Sequence, residues 1–155
     1  MTRSSITQAA PPETTDLVVL CDFLVTDPRV VRELHTARVA HLPVRLRDGA
    51  GLVGPLVIPG VTSCLGCADL HRSDRDAAWP AVAAQLRNTV GCADRATVLA
   101  TAALALNQVD RVIRAVRGAG DARQAPPTLD TTLEFDIDTG ATVTRRWSRH
   151  PRCSC

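Results

Sequence analysis

Four of the six cysteines in this 155-residue chain are spaced as metal ligands are. Cys64-Leu-Gly-Cys67 is a CxxC that follows a Pro59-Gly60 turn, and Cys153-Ser-Cys155 is a CxC at the C-terminus. A tight turn lets such a pair deliver two thiolates to one ion, and structural zinc takes four thiolates in a tetrahedron. Two pairs far apart in sequence would staple the chain end onto its middle. Closing a loop that long costs entropy, but structural zinc binding contributes roughly 10–16 kcal/mol in small model systems. With four thiolates and no open position, such a site is structural. Other chemistries use the same residues: a lone CxxC can be a redox pair, and a terminal CSC can be an acylation site or a scar. The CxxC here lacks the aromatic-flanked, strand-to-helix setting of thioredoxin-like proteins. His150 is an alternative ligand. Cys21 and Cys92 read as small packing side chains, although Cys92 opens an expected helix, where a thiol can become reactive.

The elements that must position these cysteines follow from periodicity and breakers. Residues 16–20 (DLVVL) form a short apolar run suited to a strand covered on both faces. Asp27-Pro28 supplies a cap and a proline at the first helical position, so a helix is expected over 28–38. Strands are expected over 41–46 and 52–58, with a turn at 48–51. Strand, helix, strand in this order is the unit of a parallel sheet. Two short helices are expected over 68–75 and 79–88. A long helix over 92–117 would turn Ala96, Leu99, Ala103, Leu106, Val109 and Val112 toward a core. The segment 118–127 breaks it, and residues 128–136 and 142–147 read as a β-hairpin around Asp138-Thr139-Gly140. Residues 1–15 are expected to be a disordered tail, with one domain over 16–155.

Bulk properties exclude several functions. A net charge of +2 does not make a nucleic-acid surface, and 3% aromatic residues with no tyrosine gives no stacking platform. No apolar run reaches membrane-spanning length, and the polar N-terminus lacks a signal-peptide core. The expectation is a cytoplasmic protein in which cysteines serve as metal ligands and thiols rather than disulfides. Gly49-Ala-Gly51-Leu-Val-Gly54 spells G-x-G-x-x-G, but a dinucleotide site needs that run to open a helix. Here Pro55 and Leu56-Val-Ile58 continue as a strand, so these glycines are expected to serve a turn. Neither a serine-histidine-acid order nor an HExxH is present. The polar run His71, Arg72, Asp74, Arg75 and Asp76 reads as a solvated face. His41 reads as a core or edge histidine.

Three stretches together carry a family resemblance: DLVVLCD (16–22), HLPVRLRDGAGLVGPLVIPGVTSCLGCADLHRSDRDAAWP (41–80) and HPRCSC (150–155). The chain resembles the ThiF/MoeB ubiquitin-activating-enzyme-like superfamily, in particular the cyclodehydratase C-type branch of azole-peptide (bacteriocin) biosynthesis. The resemblance implies an α/β fold, the second half of a Rossmann-like parallel sheet, with a long helix and a C-terminal β-hairpin. It also implies that Cys64, Cys67, Cys153 and Cys155 are zinc ligands. Active members of the superfamily place an Asp-x-x-Asp after the strand matching residues 17–20, and its second aspartate serves metal-ATP. Asp22 matches the first position, Val25 occupies the second, and Asp27 is displaced by two. The glycine-rich ATP loop of the family's first half has no counterpart before Asp16. The resemblance therefore implies a zinc-stabilised, non-catalytic component that binds a leader peptide or a YcaO-type protein, or that self-associates. The alternative it implies is half of an ATP-dependent adenylating enzyme, completed in trans by another chain.

Overall fold

The computed structural model describes residues 14–21, 23–118 and 125–155. Most of the expected tail lies outside the described residues, and so does Asp22. The elements in chain order are β1 (Leu17–Leu20), α1 (Pro28–Thr36), β2 (Ala40–Arg47), β3 (Ala50–Val53), α2 (Leu65–Arg75), α3 (Trp79–Leu86), α4 (Arg95–Val116), β4 (Thr131–Phe135) and β5 (Thr142–Arg146). The five strands form one sheet in sequential order.

The sheet is mixed, which corrects the expectation of a parallel one. Only β1 and β2 run parallel, with Leu17 opposite Ala40 and Leu20 opposite Pro43. Helix α1 supplies the crossover that a parallel pair requires. It starts where expected, because the Asp27 side chain accepts from the Arg29 N–H at 2.8 Å and Pro28 needs no partner there. Strands β2 and β3 are instead joined by two residues, a link that only an antiparallel pair permits. Asp48 and Gly49 both have positive φ (52° and 81°), the signature of the twist-matched hairpin turn. The remaining pairs, β3 with β4 and β4 with β5, are antiparallel, and the expected C-terminal hairpin is present.

Helix α4 lies across β2 and β3 and closes the main core. Leu42, Val53, Leu56 and Ala105 form its buried centre, with Leu17, Val44, Leu104, Val112 and Leu129 packed around them. The approach is close: a Cβ on Gly51 would sit 1.9 Å from Thr101 Oγ1. This contact explains the second glycine of the G-x-G-x-x-G run, which serves helix-to-sheet packing and opens no helix. The third glycine, Gly54, has φ 99°, and a Cβ there would meet the Thr131 carbonyl oxygen at 2.5 Å.

The inner face of α4 is only in part the expected one, since Val112 packs against the core but most of the other inward positions differ. Thr97, Thr101, Ala105 and Gln108 are buried, while Leu99 and Leu106 are each 63% exposed. Close contact at Gly51 demands small side chains on the helix, and leucines could not occupy that face without forcing the layers apart. The buried hydroxyls are satisfied locally, so their burial costs little. Thr101 Oγ1 donates to the Thr97 carbonyl at 2.6 Å, and Thr128 Oγ1 donates to Gln108 Oε1 at 3.2 Å. Asp94 caps the helix by accepting from the Ala96 and Thr97 N–H groups.

His41 is a core histidine, as expected. It is fully buried, with Nδ1 bonded to the Val39 carbonyl at 3.1 Å, while Nε2 has no partner among the described residues. Burial lowers its pKa from 6.5 to about 4. The neutral ring is therefore the folded form, and the unfolded chain takes up a proton first as pH falls. Stability is complete above pH 6.5 and declines toward pH 4, by at most about 3 kcal/mol from this residue. In denaturant titrations His41→Leu should show a shallower loss between pH 6.5 and 4 than the unsubstituted chain. Equal slopes would contradict this assignment.

Candidate metal centre

The CxxC is part of a helix start. Helix α2 begins at Leu65, three residues ahead of the expected position, and Cys64 is its N-cap. Its Sγ accepts from the Cys67 N–H at 3.4 Å, so one thiol both caps the helix and faces the centre. The loop leading in is fixed by Thr62, whose Oγ1 accepts from the Ile58 N–H, and by Ser63, whose N–H donates to Asp130 Oδ1 at 2.6 Å.

The C-terminal pair arrives from β5, the strand at the sheet's edge opposite β1. After β5, the Trp147 N–H donates to the Asp130 carbonyl and its indole N–H donates to Thr132 Oγ1 at 2.9 Å. Asp130 thus holds both incoming segments, at Ser63 and at Trp147. A turn in which the Cys153 N–H donates to the His150 carbonyl then brings the last residues onto α2. His150 is buried and bonds Asp74 Oδ2 at 2.8 Å, and Arg152 pairs with the other oxygen of Asp74. His71 contacts the Ser148 carbonyl at 3.1 Å and packs edge-on against His150.

This docking brings together the four cysteines singled out in the sequence. Their sulfurs all lie within 4.8 Å of one another. Cys64 is 3.7 Å from Cys67 and 3.5 Å from Cys153, and Cys67 is 3.4 Å from Cys155. A tetrahedron with Zn–S distances near 2.3 Å has sulfurs about 3.8 Å apart, so the cluster fits a four-thiolate ion closely. A disulfide requires about 2.05 Å, and all four are free thiols. Cys64 and Cys67 are buried, with Val57 and Leu65 packed against the pair. Burial raises the Cys64 and Cys155 thiols. The same desolvation acts on Cys67, but the peptide groups of His150 and Cys64 and the neighbouring thiols outweigh it and bring its pKa down to about 7. Four close cysteines of this kind can bind a metal.

The other candidates lie elsewhere. His150 is engaged with Asp74 and stands outside the sulfur cluster. Asp27 is the α1 cap and pairs with Arg29 at 3.2 Å; the Arg29 backbone N–H first, and then its guanidinium, hold the Asp27 carboxyl below the usual range. Cys21 and Cys92 were expected as packing residues, but both are exposed, because each lies in irregular backbone beyond the end of a strand or before a helix cap. The run after the CxxC was expected to be solvated, and Arg72 is not. It lies between the rings of Trp79 and Trp147, 5.0 and 4.7 Å from their centres, and pairs with Asp69 at 2.9 Å. Asp74, Asp130, His150 and Trp147 were missed as positioning residues, because their partners lie 67 to 84 residues away and leave no local signal.

No protein-family model and no curated protein matches the sequence. The fold, in contrast, is shared. E. coli MccB with ATP matches over 90% of this chain at 18% identity, TM-score 0.58. E. coli MccB with AMPCPP and selenomethionine MccA matches over 90% at 18% identity, TM-score 0.60. A heterocyclase in complex with substrate and cofactor matches over 91% at 18% identity, TM-score 0.65. The shared fold agrees with the α/β fold that the sequence resemblance implied. The chain spans 38% of the first MccB chain and 20% of the heterocyclase.

If the four thiols hold a metal, a membrane-impermeant chelator should lower the melting temperature of the unsubstituted chain by more than 10 °C. Cys153→Ser should melt at that lower temperature already and show no further change with chelator. Identical chelator responses of the two chains in a calorimeter would count against the assignment.

Proposed function

We propose that this chain is a zinc-stabilised, non-catalytic ThiF-like domain that binds a peptide or protein partner during ribosomal peptide modification of the thiazole/oxazole kind. The observation that carries this reading is the fold shared over nine-tenths of the chain with proteins captured holding a peptide or substrate. Zinc at Cys64, Cys67, Cys153 and Cys155 would hold the C-terminal segment against α2 and take no part in chemistry, since four thiolates leave no position open. The partner would be a leader peptide or a YcaO-type protein. Two surfaces favour such a partner. Helix α4 presents Leu99, Leu106 and Ile113 to solvent at a seven-residue spacing, and β1 leaves an apolar strand edge unpaired among the described residues.

A second reading, half of an adenylating enzyme completed in trans, is favoured by the match to MccB with ATP. In that reading Asp22 and Asp27 would lie beside the nucleotide supplied by the other half. The two are separated by one experiment on the zinc-loaded chain. Fluorescence anisotropy with the precursor peptide encoded beside its reading frame should give saturable binding, while ATP–pyrophosphate exchange stays at background. Exchange that appears once a glycine-rich nucleotide-binding half is added would favour the second reading. Exchange by the chain alone would overturn the non-catalytic role, and absence of peptide binding would overturn the binding role.

A further inference from the structure

The two halves of the four-cysteine centre are held by different kinds of contact. Cys64 and Cys67 belong to the buried start of α2, where the Cys67 N–H is tied to Cys64 Sγ. Cys153 and Cys155 are half-buried and belong to an arm, residues 148–155, that forms neither strand nor helix. The Trp147 N–H still donates to the Asp130 carbonyl. Beyond it, apart from the His150 N–H that meets the Cys67 sulfur, the arm is fastened to the body through side chains.

Most of those side chains converge on one face of α2. Cys67, His71 and Asp74 follow one another at i, i+4 and i+7, the spacing that aligns residues along a helix. His71 Nε2 lies 3.1 Å from the Ser148 carbonyl and 3.2 Å from Ser148 Oγ. Asp74 bonds two residues of the arm at once. Its Oδ2 meets His150 Nε2 at 2.8 Å, and its Oδ1 pairs with Arg152, which immediately precedes Cys153. The His150 imidazole is buried, so that bond is shielded from water. Arg152 is 63% exposed, so its pairing is open to screening by salt. Away from α2, Arg149 donates to the Gly60 carbonyl at 2.5 Å.

An ion held by four thiolates leaves by losing them in turn, and a ligand pair kept in place by its surroundings recaptures it at high local concentration. The pair on α2 is built into the core, so the pair free to swing away is Cys153 and Cys155. We propose that a metal enters and leaves this centre through opening of the C-terminal arm, and that Asp74 is the latch that sets how long it stays. Asp74 is a positioning residue: it touches no sulfur and acts through His150 and Arg152. The residence time rests on the zinc reading above; the latch itself rests on the bonds of Asp74.

The test uses the full chain loaded with zinc and a chromogenic chelator in excess, and reads the rate of zinc release. Asp74→Ala should release zinc at least about tenfold faster, the scale on which groups supporting metal ligands act. Asp74→Glu, which keeps the carboxylate, should stay close to the unsubstituted chain. Arg152→Ala should be about threefold faster, as befits an exposed pair. Salt at about 0.5 M should speed release from the unsubstituted chain and leave Arg152→Ala unchanged, a response that a merely structural Asp74 would not give. Equal rates for Asp74→Ala and the unsubstituted chain would overturn the proposal. If Asp74→Ala fails to fold, Arg152→Ala decides, because so exposed a side chain can be removed without loss of core, and an unchanged rate there would overturn it. Failure of the zinc reading shows separately, as a chain that takes up no zinc. The latch is then read on the metal-free chain by timed alkylation and peptide mapping. Cys153 and Cys155 should be modified faster in Asp74→Ala and Arg152→Ala than in the unsubstituted chain, and equal rates would overturn the latch.

Discussion

The meeting of residues 64–67 with residues 153–155 is the constraint on which the rest of this architecture depends. Cys64 and Cys153 are 89 positions apart, and their sulfurs are 3.5 Å apart. Closing a loop of that length is opposed by chain entropy, although the cost grows only slowly with length. The surrounding contacts are individually modest: Asp130 holding two loops, His150 on Asp74, and Arg72 between two indoles. Together they dock the last residues on α2, and the four sulfurs complete the junction. Four neighbouring thiols repel once ionised, so a dication bound among them would offset half of that charge and fix their geometry.

The other half of the molecule is organised around a second close approach, that of α4 to the backbone at Gly51. Because that contact needs small residues, the helix turns threonines, an alanine and a glutamine inward. Leu99 and Leu106 remain outside, so residues that would ordinarily fill a core form a surface stripe, while Leu104 packs at the core's edge. The opposite face of the sheet is left with arginines, because β2 alternates Leu42, Val44 and Leu46 toward α4 with Pro43, Arg45 and Arg47 away from it. One pattern of alternation thus produces both the core and the charged face.

Much of this was legible in the chain. The apolar run of β1, the Asp27-Pro28 helix start, the Asp48-Gly49 turn and the final hairpin each carry local chemistry that specifies them. The four-cysteine cluster was legible from spacing alone. What was not legible has a common cause, since it depends on distant residues. The antiparallel β2–β3 pair was already specified by the Asp48-Gly49 link, whereas the pairing of β3 with β4 is encoded by nothing within β3. The inner face of α4 was misread because periodicity ranks residues by hydrophobicity and ignores the space available at Gly51. Arg72 looked solvated because Trp147, one of the two rings it lies between, comes at the far end of the chain.

The most direct test of the account is X-ray absorption at the zinc edge on protein purified without added metal, with metal content measured on the same sample. The account predicts one zinc per chain with four sulfur neighbours at about 2.3 Å, and loss of that zinc in Cys153→Ala/Cys155→Ala. A metal-free chain that unfolds cooperatively, or a zinc shell containing nitrogen or oxygen, would contradict it.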